Sequence, residues 1–240
     1  MSKIFKGLAL AFSMLTTLPF FKIHDFYKGI NGYSVMFYPL VGFFLGLILY
    51  GVYALLYPYV PHTHLSIFVF VLWVVLSGAL HLDGLSDTID GLFVPKQKAL
   101  SVMKDPHTGG MGMIFTVVFL LLKASSVISL GLYYLLPVIL MLSRLNATLA
   151  IYLYPYISPN GMSMLAKEEF SSSQLIITLF YVIVIALLFG AFSLMVYTLL
   201  ILFLLKLFFI KRYGGFSGDI YGFTTETTEL VLLNVIIFGA

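Results

Sequence analysis

The sequence predicts an all-α, polytopic integral membrane helix bundle that forms one catalytic domain over residues 1–240. Of its 240 residues, 61% are hydrophobic and 10% are charged, whereas an ordinary soluble domain has about 25% charged residues. Apolar runs long enough to cross a bilayer as helices recur along the chain. Among the connections between these runs, only alternate ones carry Lys or Arg, which is typical of a chain that crosses the lipid bilayer repeatedly.

Apolar runs predict about seven transmembrane helices, because each run approaches the roughly 20 residues that span the hydrocarbon. They cover residues 33–56, 65–82, 112–132, 135–154, 174–191, 193–210 and 226–240. Ahead of them, Lys3 and Lys6 precede a shorter apolar run, Gly7 to Phe21, which predicts an interfacial or re-entrant helix. Gly42 and Gly46 form a small-xxx-small pair that favours close helix packing.

Basic residues divide the connections into two sets. One set carries Lys22, Lys28, Lys96, Lys98, Lys104, Lys167, Lys211 and Arg212, whereas the connections at 57–64, 131–135 and 190–192 carry no Lys or Arg. Lys and Arg near span ends mark the cytoplasmic side. We therefore expect the connections 83–105, 155–173 and 211–219 to share that side.

Composition also excludes several classes of function. A net charge of +3 with scattered basic residues predicts no nucleic-acid partner. The absence of Cys excludes disulfides, thiolate metal sites and a cysteine nucleophile. Whether the protein forms an oligomer is left open by the sequence.

The acidic residues concentrate in three segments, of which the first is residues 81–91. Asp83, Asp87 and Asp90 stand at i, i+4 and i+7, so a helix presents all three carboxylates on one face. Such a face repels itself and is costly in a membrane, which favours a bound cation. Oxygen ligands favour Mg²⁺, with Mn²⁺ as the alternative. We predict the three Asp as metal ligands and His81 as a substrate contact or base; a solvated acidic loop with an interfacial His is the competing interpretation.

The second segment is a glycine-rich turn ahead of the third predicted span. It contains Asp105, His107, Gly109, Gly110 and Gly112. Glycines let backbone N–H groups approach an anion, and the following helix N-terminus adds a favourable dipole. We predict that these five residues bind a substrate phosphate; an ordinary turn is the alternative.

The third segment precedes the last predicted span and combines glycines with acids. It contains Gly215, Gly218 and Asp219, followed by Glu226 and Glu229. We predict a metal or substrate role for Asp219 and substrate contacts for the other four residues, with the three acids on one helical face. The alternative is a Thr-rich helix start whose Glu residues lie near the positive end of the dipole.

Arg144 lies inside the fourth apolar run. A guanidinium within a membrane needs an anion, and Arg can hold a phosphate with two parallel hydrogen bonds. We predict contact with a substrate diphosphate; a structural ion pair with an acid is the alternative. Lys123, inside the third run, is left unassigned between snorkelling and pairing.

These motifs resemble those of the adenosylcobinamide-GDP ribazoletransferase family, also called cobalamin (5′-phosphate) synthase. The similarity lies in the string His-Leu-Asp-Gly-Leu-x-Asp-Thr-x-Asp-Gly at 81–91, in Tyr-Pro-Leu-Val-Gly at 38–42 and in the glycine-rich segment at 214–222, in that order. Pro106-His107 stands where the family usually has Ser-Arg, so the charge at this position would vary with pH.

The resemblance implies a late step of cobalamin biosynthesis in the cytoplasmic (inner) membrane of a prokaryote, with the active site facing the cytoplasm. Adenosylcobinamide-GDP and α-ribazole, or its 5′-phosphate, would give adenosylcobalamin or its 5′-phosphate and GMP. Mg²⁺ held by Asp83, Asp87 and Asp90, with Asp219 in support, would neutralise the diphosphate. The rival predictions are a CDP-alcohol phosphotransferase, an aspartate-rich prenyltransferase and a cation-coupled or proton-coupled transporter.

Overall fold

The structure is a computed structural model that describes residues 3–19, 27–158 and 163–239; Lys22 of the charge pattern lies outside them. All regular elements in these ranges are helices, which confirms the predicted class. They are α1 Lys3–Leu15, α2 Ile30–Met36, α3 Tyr38–Leu56, α4 His62–Leu76, α5 Leu80–Leu92, α6 Lys96–Met103, α7 Gly110–Ser129, α8 Leu136–Leu153, α9 Ser163–Glu169, α10 Ser172–Leu188, α11 Phe192–Tyr213 and α12 Gly218–Gly239, with a 3₁₀ turn at Tyr133–Leu135 before α8.

The described helices do not confirm a count of seven spans. By length and composition, four segments can cross a membrane alone, namely α3, α7, α11 and Tyr133–Leu153. Two bent pairs, α4 with α5 and α9 with α10, raise the number to six if each pair is one span. α12 begins before residue 226 and carries three acids in its first twelve residues, which lowers its hydropathy as a span.

Two predicted spans are broken by local backbone conformation. In the run at 65–82, α4 ends at Leu76, and the axis of the following helix, α5, lies at 82° to that of α4. Gly78 and Ala79 adopt left-handed φ values of 63° and 54°, a conformation that stops a right-handed helix. The run at 33–56 is divided at Phe37 into α2 and α3. The turn before α5 directs the Asp-bearing helix nearly at right angles to α4.

α8 is the central helix, since every residue from Leu136 to Ile151 is buried. α3 packs along it at the predicted glycine pair. A Cβ on Gly42 would collide with the carbonyl of Leu140, and one on Gly46 with the backbone of Pro137, so the two glycines permit the close approach, as predicted. Around this core, the outer helices expose many large apolar side chains, which fits an integral membrane protein.

The connections that the charge pattern assigns to one side meet at one end of the bundle. The backbone N–H of Ile157 donates to the carbonyl of Phe216 (2.9 Å), and that of Phe216 donates to the carbonyl of Pro155 (2.9 Å). Arg212 donates to the carbonyl of Leu92 at the end of α5 (2.8 Å). These contacts agree with the prediction that the three connections share a side.

Candidate active site

α5 and α12 cross at two glycines. A Cβ on Gly84 would lie 2.8 Å from the backbone oxygen of Asp219 and 3.1 Å from its Cα. A Cβ on Gly222 would lie 3.0 Å from the carbonyl of His81. The distance at Gly84 is too short for a real side chain, so this position requires glycine, and the distance at Gly222 would require a small shift of its neighbours. The crossing places Asp219 beside the part of α5 that carries Asp83.

Ser217 caps the start of α12 and orients Asp219. Its Oγ accepts a hydrogen bond from the backbone N–H of Ile220 (3.3 Å), which is the geometry of a helix N-cap. The same hydroxyl donates to the carboxylate of Asp219 (3.2 Å). The first turn of a helix also favours a negative charge. The predicted acid is therefore held at the amino end of α12.

A cavity of about 390 Å³ lies between α1, α3, α5, α8 and α12. Five predicted site residues line it, namely His81, Asp83, Arg144, Gly218 and Asp219. They come from three helices and from three segments of the sequence. The structure thus unites the first and third acidic segments at one site together with the buried arginine.

The negative charges of Asp83, Asp219 and Asp90 all act on Asp87. Asp87 therefore lies near the acids of this cavity. Within the described ranges, no three His, Asp or Glu side chains stand close enough to hold a metal ion by themselves. Mg²⁺ typically takes one or two protein carboxylates and completes its shell with water and substrate phosphates. Asp87 together with Asp83 or Asp219 would supply two carboxylates to that kind of shared site.

Asp90 occupies the start of α7. Its two carboxylate oxygens accept the backbone N–H groups of Gly109 (2.8 Å) and Gly112 (2.7 Å). A Cβ on either glycine would collide with this carboxylate. The predicted anion site at this helix N-terminus therefore holds the protein's own Asp90. A metal bound to Asp90 would share the carboxylate with these N–H groups. A phosphate at this turn could bind only in the open space around Gly110.

Asp105 and His107 lie in an exposed loop and contact each other. The backbone N–H of His107 donates to Asp105 (3.0 Å), and its Nδ1 lies 2.8 Å from the same carboxylate oxygen. These hydrogen bonds lower the pKa of the Asp105 carboxyl below its usual value. Neither residue lines the cavity. Their predicted contact with substrate stays a prediction.

Glu226 and Glu229 belong to a buried ion network. Lys123 donates to Glu226 (2.6 Å) and to Glu229, and Arg144 donates to Glu229. All four side chains are at most 4% exposed. Neither Glu lines the cavity. Their carboxylates instead compensate the two cations inside the bundle, which could not be buried without them. The network also gives Lys123 its role, which the sequence left unassigned.

Arg144 is only partly satisfied by this network. Its Nη1 donates to Glu229 and to the hydroxyl of Ser143 (2.8 Å), so the structural ion pair weighed against substrate contact is present. Its Nε and Nη2 are buried and have no hydrogen-bond partner among the described residues. Two donors therefore remain on a residue that also lines the cavity.

The sequence did not indicate two tyrosines that line the cavity, and it predicted a substrate contact for a glycine that the structure places in a packing contact. Tyr38 and Tyr221 line the cavity, and the buried hydroxyl of Tyr221 has no partner in the described structure. Their places inside the two glycine-containing motifs could have indicated them. Gly215 lies against the carbonyl of Pro155, so it joins two connections and does not line the cavity.

Comparison with known proteins identifies the family of the chain. A sequence model of the family described as cobalamin-5-phosphate synthase matches residues 7–237. The chain belongs to this family. A relative from Desulforamulus reducens, named adenosylcobinamide-GDP ribazoletransferase, is 34% identical over 244 residues, which cover 98% of each chain. One of the same name from Thermosynechococcus vestitus is 36% identical over 211 residues, covering 84% of this chain and 85% of the relative.

As a member of the cobalamin-5-phosphate synthase family, the protein is a transferase of cobalamin synthesis, which confirms the resemblance drawn from its motifs. A Stutzerimonas stutzeri relative with the same name is 36% identical over 212 residues, or 85% of this chain and 86% of the relative. No solved structure gives a significant match. The arrangement of α5, α8 and α12 around the cavity therefore comes from the present structure.

Proposed function

We propose that the protein joins adenosylcobinamide-GDP to α-ribazole, or to its 5′-phosphate, and releases adenosylcobalamin, or its 5′-phosphate, and GMP. The relatives' names give the reaction class. The observation that carries the proposal for this chain is the cavity in which Asp83 and Asp219, from two different helices, face one space with Arg144. Acids at a shared cavity suit a diphosphate that arrives with a divalent cation.

The reaction moves one phosphorus between two oxygens. A ribose hydroxyl of α-ribazole attacks the phosphorus that remains with cobinamide, the bond from this phosphorus to the bridging oxygen breaks, and GMP leaves with that oxygen. Asp87 together with Asp83 or Asp219 would hold Mg²⁺, with Mn²⁺ as the alternative. Bound Mg²⁺ supplies neutralisation of the diphosphate and of the leaving charge. A carboxylate of this group that is outside the coordination takes the hydroxyl proton.

The residues of this chain contribute position as well as charge. Gly84 and Gly222 set the distance between α5 and α12, so they set the spacing of the carboxylates. Asp90 holds the start of α7 against α5 through Gly109 and Gly112. Such fixed placement lets the attacking hydroxyl and the phosphorus meet without further reorganisation.

A reconstituted assay tests the reaction. The purified protein in liposomes is expected to release GMP and form a new corrinoid only when adenosylcobinamide-GDP, α-ribazole and Mg²⁺ are all present. Chromatographic separation of nucleotides and corrinoids measures both products. GMP release without α-ribazole would show a hydrolase, and absence of GMP with all three components would refute the transfer.

We also propose that the protein lies in the cytoplasmic membrane of a prokaryote with the cavity open to the cytoplasm. The residues Ser163, Gly218 and Asp219 of the cavity wall belong to the end of the bundle that carries Lys96 and Arg212. Basic residues at span ends support a cytoplasmic position.

Cysteine labelling tests this orientation, since the chain has no Cys. Ser101→Cys, Ser172→Cys and Lys211→Cys, all at exposed positions, are expected to react with an impermeant maleimide in inside-out vesicles. Thr63→Cys, in the opposite connection, is the matched control and is expected to react only in right-side-out vesicles. Labelling of any two of the first three positions from opposite sides would contradict the topology.

A further inference from the structure

The cavity runs between two ends of different chemistry. Ser163, Gly218 and Asp219 are partly exposed and line its outer end, whereas Arg144 is 1% exposed and lines its inner end. Glu229, the partner of Arg144, lies ten residues beyond Asp219 on α12, which is about 15 Å along an α-helix. A diphosphate held by Asp83 and Asp219 at the outer end would therefore lie about 15 Å from the level of Glu229 along α12. This distance leaves room for a further part of the substrate between the diphosphate and the ion pair of Arg144 with Glu229.

The inner end contains buried polar groups without partners. Besides Nε and Nη2 of Arg144, Nδ1 of His81 and the hydroxyl of Tyr221 have no hydrogen-bond partner among the described residues. The three residues are 1%, 7% and 5% exposed, respectively, and all three line the cavity. Buried polar groups are almost always hydrogen-bonded in folded proteins. A ligand in the cavity is the natural source of their missing partners.

The charge at the inner end favours a neutral ligand group. The positive charges of Lys123 and Arg144 are matched by Glu226 and Glu229, so no cation there is left over for an anion. Burying a phosphate at this depth would be costly, whereas an uncharged group with two adjacent acceptors would satisfy Nε and Nη2 at little electrostatic cost.

We propose that Arg144 recognises the guanine base of the GDP group, with Nε and Nη2 donating to guanine O6 and N7. This inference rests on the proposed function and moves the predicted contact of Arg144 from the diphosphate to the base. Arg paired with O6 and N7 is the commonest base-specific contact made by proteins on guanine in DNA. Adenine carries an amino group in place of O6, and the benzimidazole of α-ribazole has a single free ring nitrogen, so neither offers this acceptor pair.

The remaining cavity wall suits a planar base. Leu15, Ala147 and Ile151 supply apolar surface, and Tyr38 and Tyr221 supply aromatic rings. Nucleotide and cofactor sites commonly combine such apolar walls with a few polar groups that fix orientation. In this arrangement the base lies inside the bundle and the charged phosphates stay at the outer end with Asp83 and Asp219, where the proposed cation would lie.

Nucleotide binding to the full-length protein in lipid nanodiscs, measured by calorimetry at fixed Mg²⁺, tests the contact. GMP is compared with AMP and with 7-deaza-GMP, which keeps O6 and the phosphate but lacks N7. Wild type is expected to bind GMP about 10-fold more tightly than 7-deaza-GMP. Arg144→Lys is expected to weaken GMP binding about 10-fold, because the planar fork is lost, and to leave the 7-deaza-GMP affinity nearly unchanged, so that the variant binds the two nucleotides about equally.

Arg212→Lys is the matched control, because Arg212 is the other Arg of the chain and donates to backbone carbonyls at Leu92 and Val94. It is expected to keep the preference for GMP. Equal wild-type affinity for GMP and 7-deaza-GMP would overturn the proposal, and this comparison stands even if Arg144→Lys does not fold. An equal loss for GMP, 7-deaza-GMP and pyrophosphate in Arg144→Lys would instead assign Arg144 to phosphate.

Selective loss of α-ribazole binding in Arg144→Lys would place the other nucleoside in the cavity and would also refute the guanine contact. The reaction itself is judged separately, because the liposome assay measures GMP release and the calorimetry measures binding alone. If the wild-type protein releases GMP but binds GMP and 7-deaza-GMP with equal affinity, the base contact is refuted and the transfer reaction is not.

Discussion

Replacing Asp87 with Asn is expected to lower transferase turnover by at least about 100-fold and to leave the helical fold intact. Asp87 is partly buried on α5, and the charges of Asp83, Asp219 and Asp90 act on it. Asn keeps the size of the side chain but removes one charged oxygen ligand of the proposed Mg²⁺ site. Loss of one electrostatic contact to a developing transition-state charge typically costs a factor of 10² to 10³.

The measurement is the initial rate of GMP release as a function of Mg²⁺ concentration, with circular dichroism to check the helices. Asp87→Asn is expected to need more Mg²⁺ for its residual activity, because a metal ligand has been lost. Glu168→Gln is the control, since Glu168 is exposed on α9 at the same end of the bundle, and it should behave as wild type. Wild-type turnover of Asp87→Asn at limiting Mg²⁺ would remove Asp87 from the metal site.

The fold class could be predicted from composition because apolar side chains in such excess require lipid. The number of spans could not be predicted in the same way. Residues on both sides of the turn at Gly78 and Ala79 are apolar, so hydropathy cannot distinguish one straight span from two helices at 82°. The break depends on two left-handed backbone conformations, and the propensity of a single Ala does not indicate one.

The chemical groups of the site could be predicted, but their pairing could not. Arg144 stands out in the sequence because a charge inside an apolar run is costly, and Asp83 and Asp219 stand out because the few acids are concentrated in short segments. The structure brings all three to one cavity. Helical periodicity predicts Asp90 as a metal ligand, and this stays a prediction, but periodicity could not indicate that Asp90 accepts hydrogen bonds from Gly109 and Gly112. These partners lie on another helix, and spacing along one helix contains no information about its neighbours.

The same limit applied to the two glutamates of α12. Their spacing suggested a face shared with Asp219, whereas they bind Lys123 and Arg144, and the paired residues are 85 to 106 positions apart in the chain. A lysine within an apolar run was the available signal, because its ammonium group requires a carboxylate when it cannot reach water. Pairing each buried cation with the acids of the same bundle would have found this network.

Replacing Lys123 with Met is expected to destabilise the protein by about 3 to 5 kcal/mol, the usual cost of removing one partner of a buried ion pair. Lys123 contacts Glu226 and Glu229 at 3% exposure, and its ammonium lies 4.3 Å from the ring centre of Trp73. Met keeps the length and the apolar packing of the side chain, so the lost charge dominates. Equilibrium unfolding in mixed micelles measures the free energy.

The double variant Lys123→Met with Glu226→Gln is expected to recover a large part of this loss, because it removes the carboxylate that the single variant leaves uncompensated. Lys206→Met is the matched control. Lys206 also lies in an apolar helix, but among the described residues it has no ion pair, and its ammonium lies 5.8 Å from the ring centre of Phe203. This change is expected to cost less than about 1 kcal/mol.

A double variant no more stable than Lys123→Met would show that packing, and not charge, holds Lys123 in place. Recovery would instead establish that the network is stable because its two cations and two carboxylates balance. That balance is the reason for placing an uncharged base beside Arg144. The stability measurement therefore bears on substrate recognition: in Lys123→Met the network gains a net negative charge, which should hold Arg144 more tightly to Glu229 and weaken GMP binding, and Glu226→Gln should restore it.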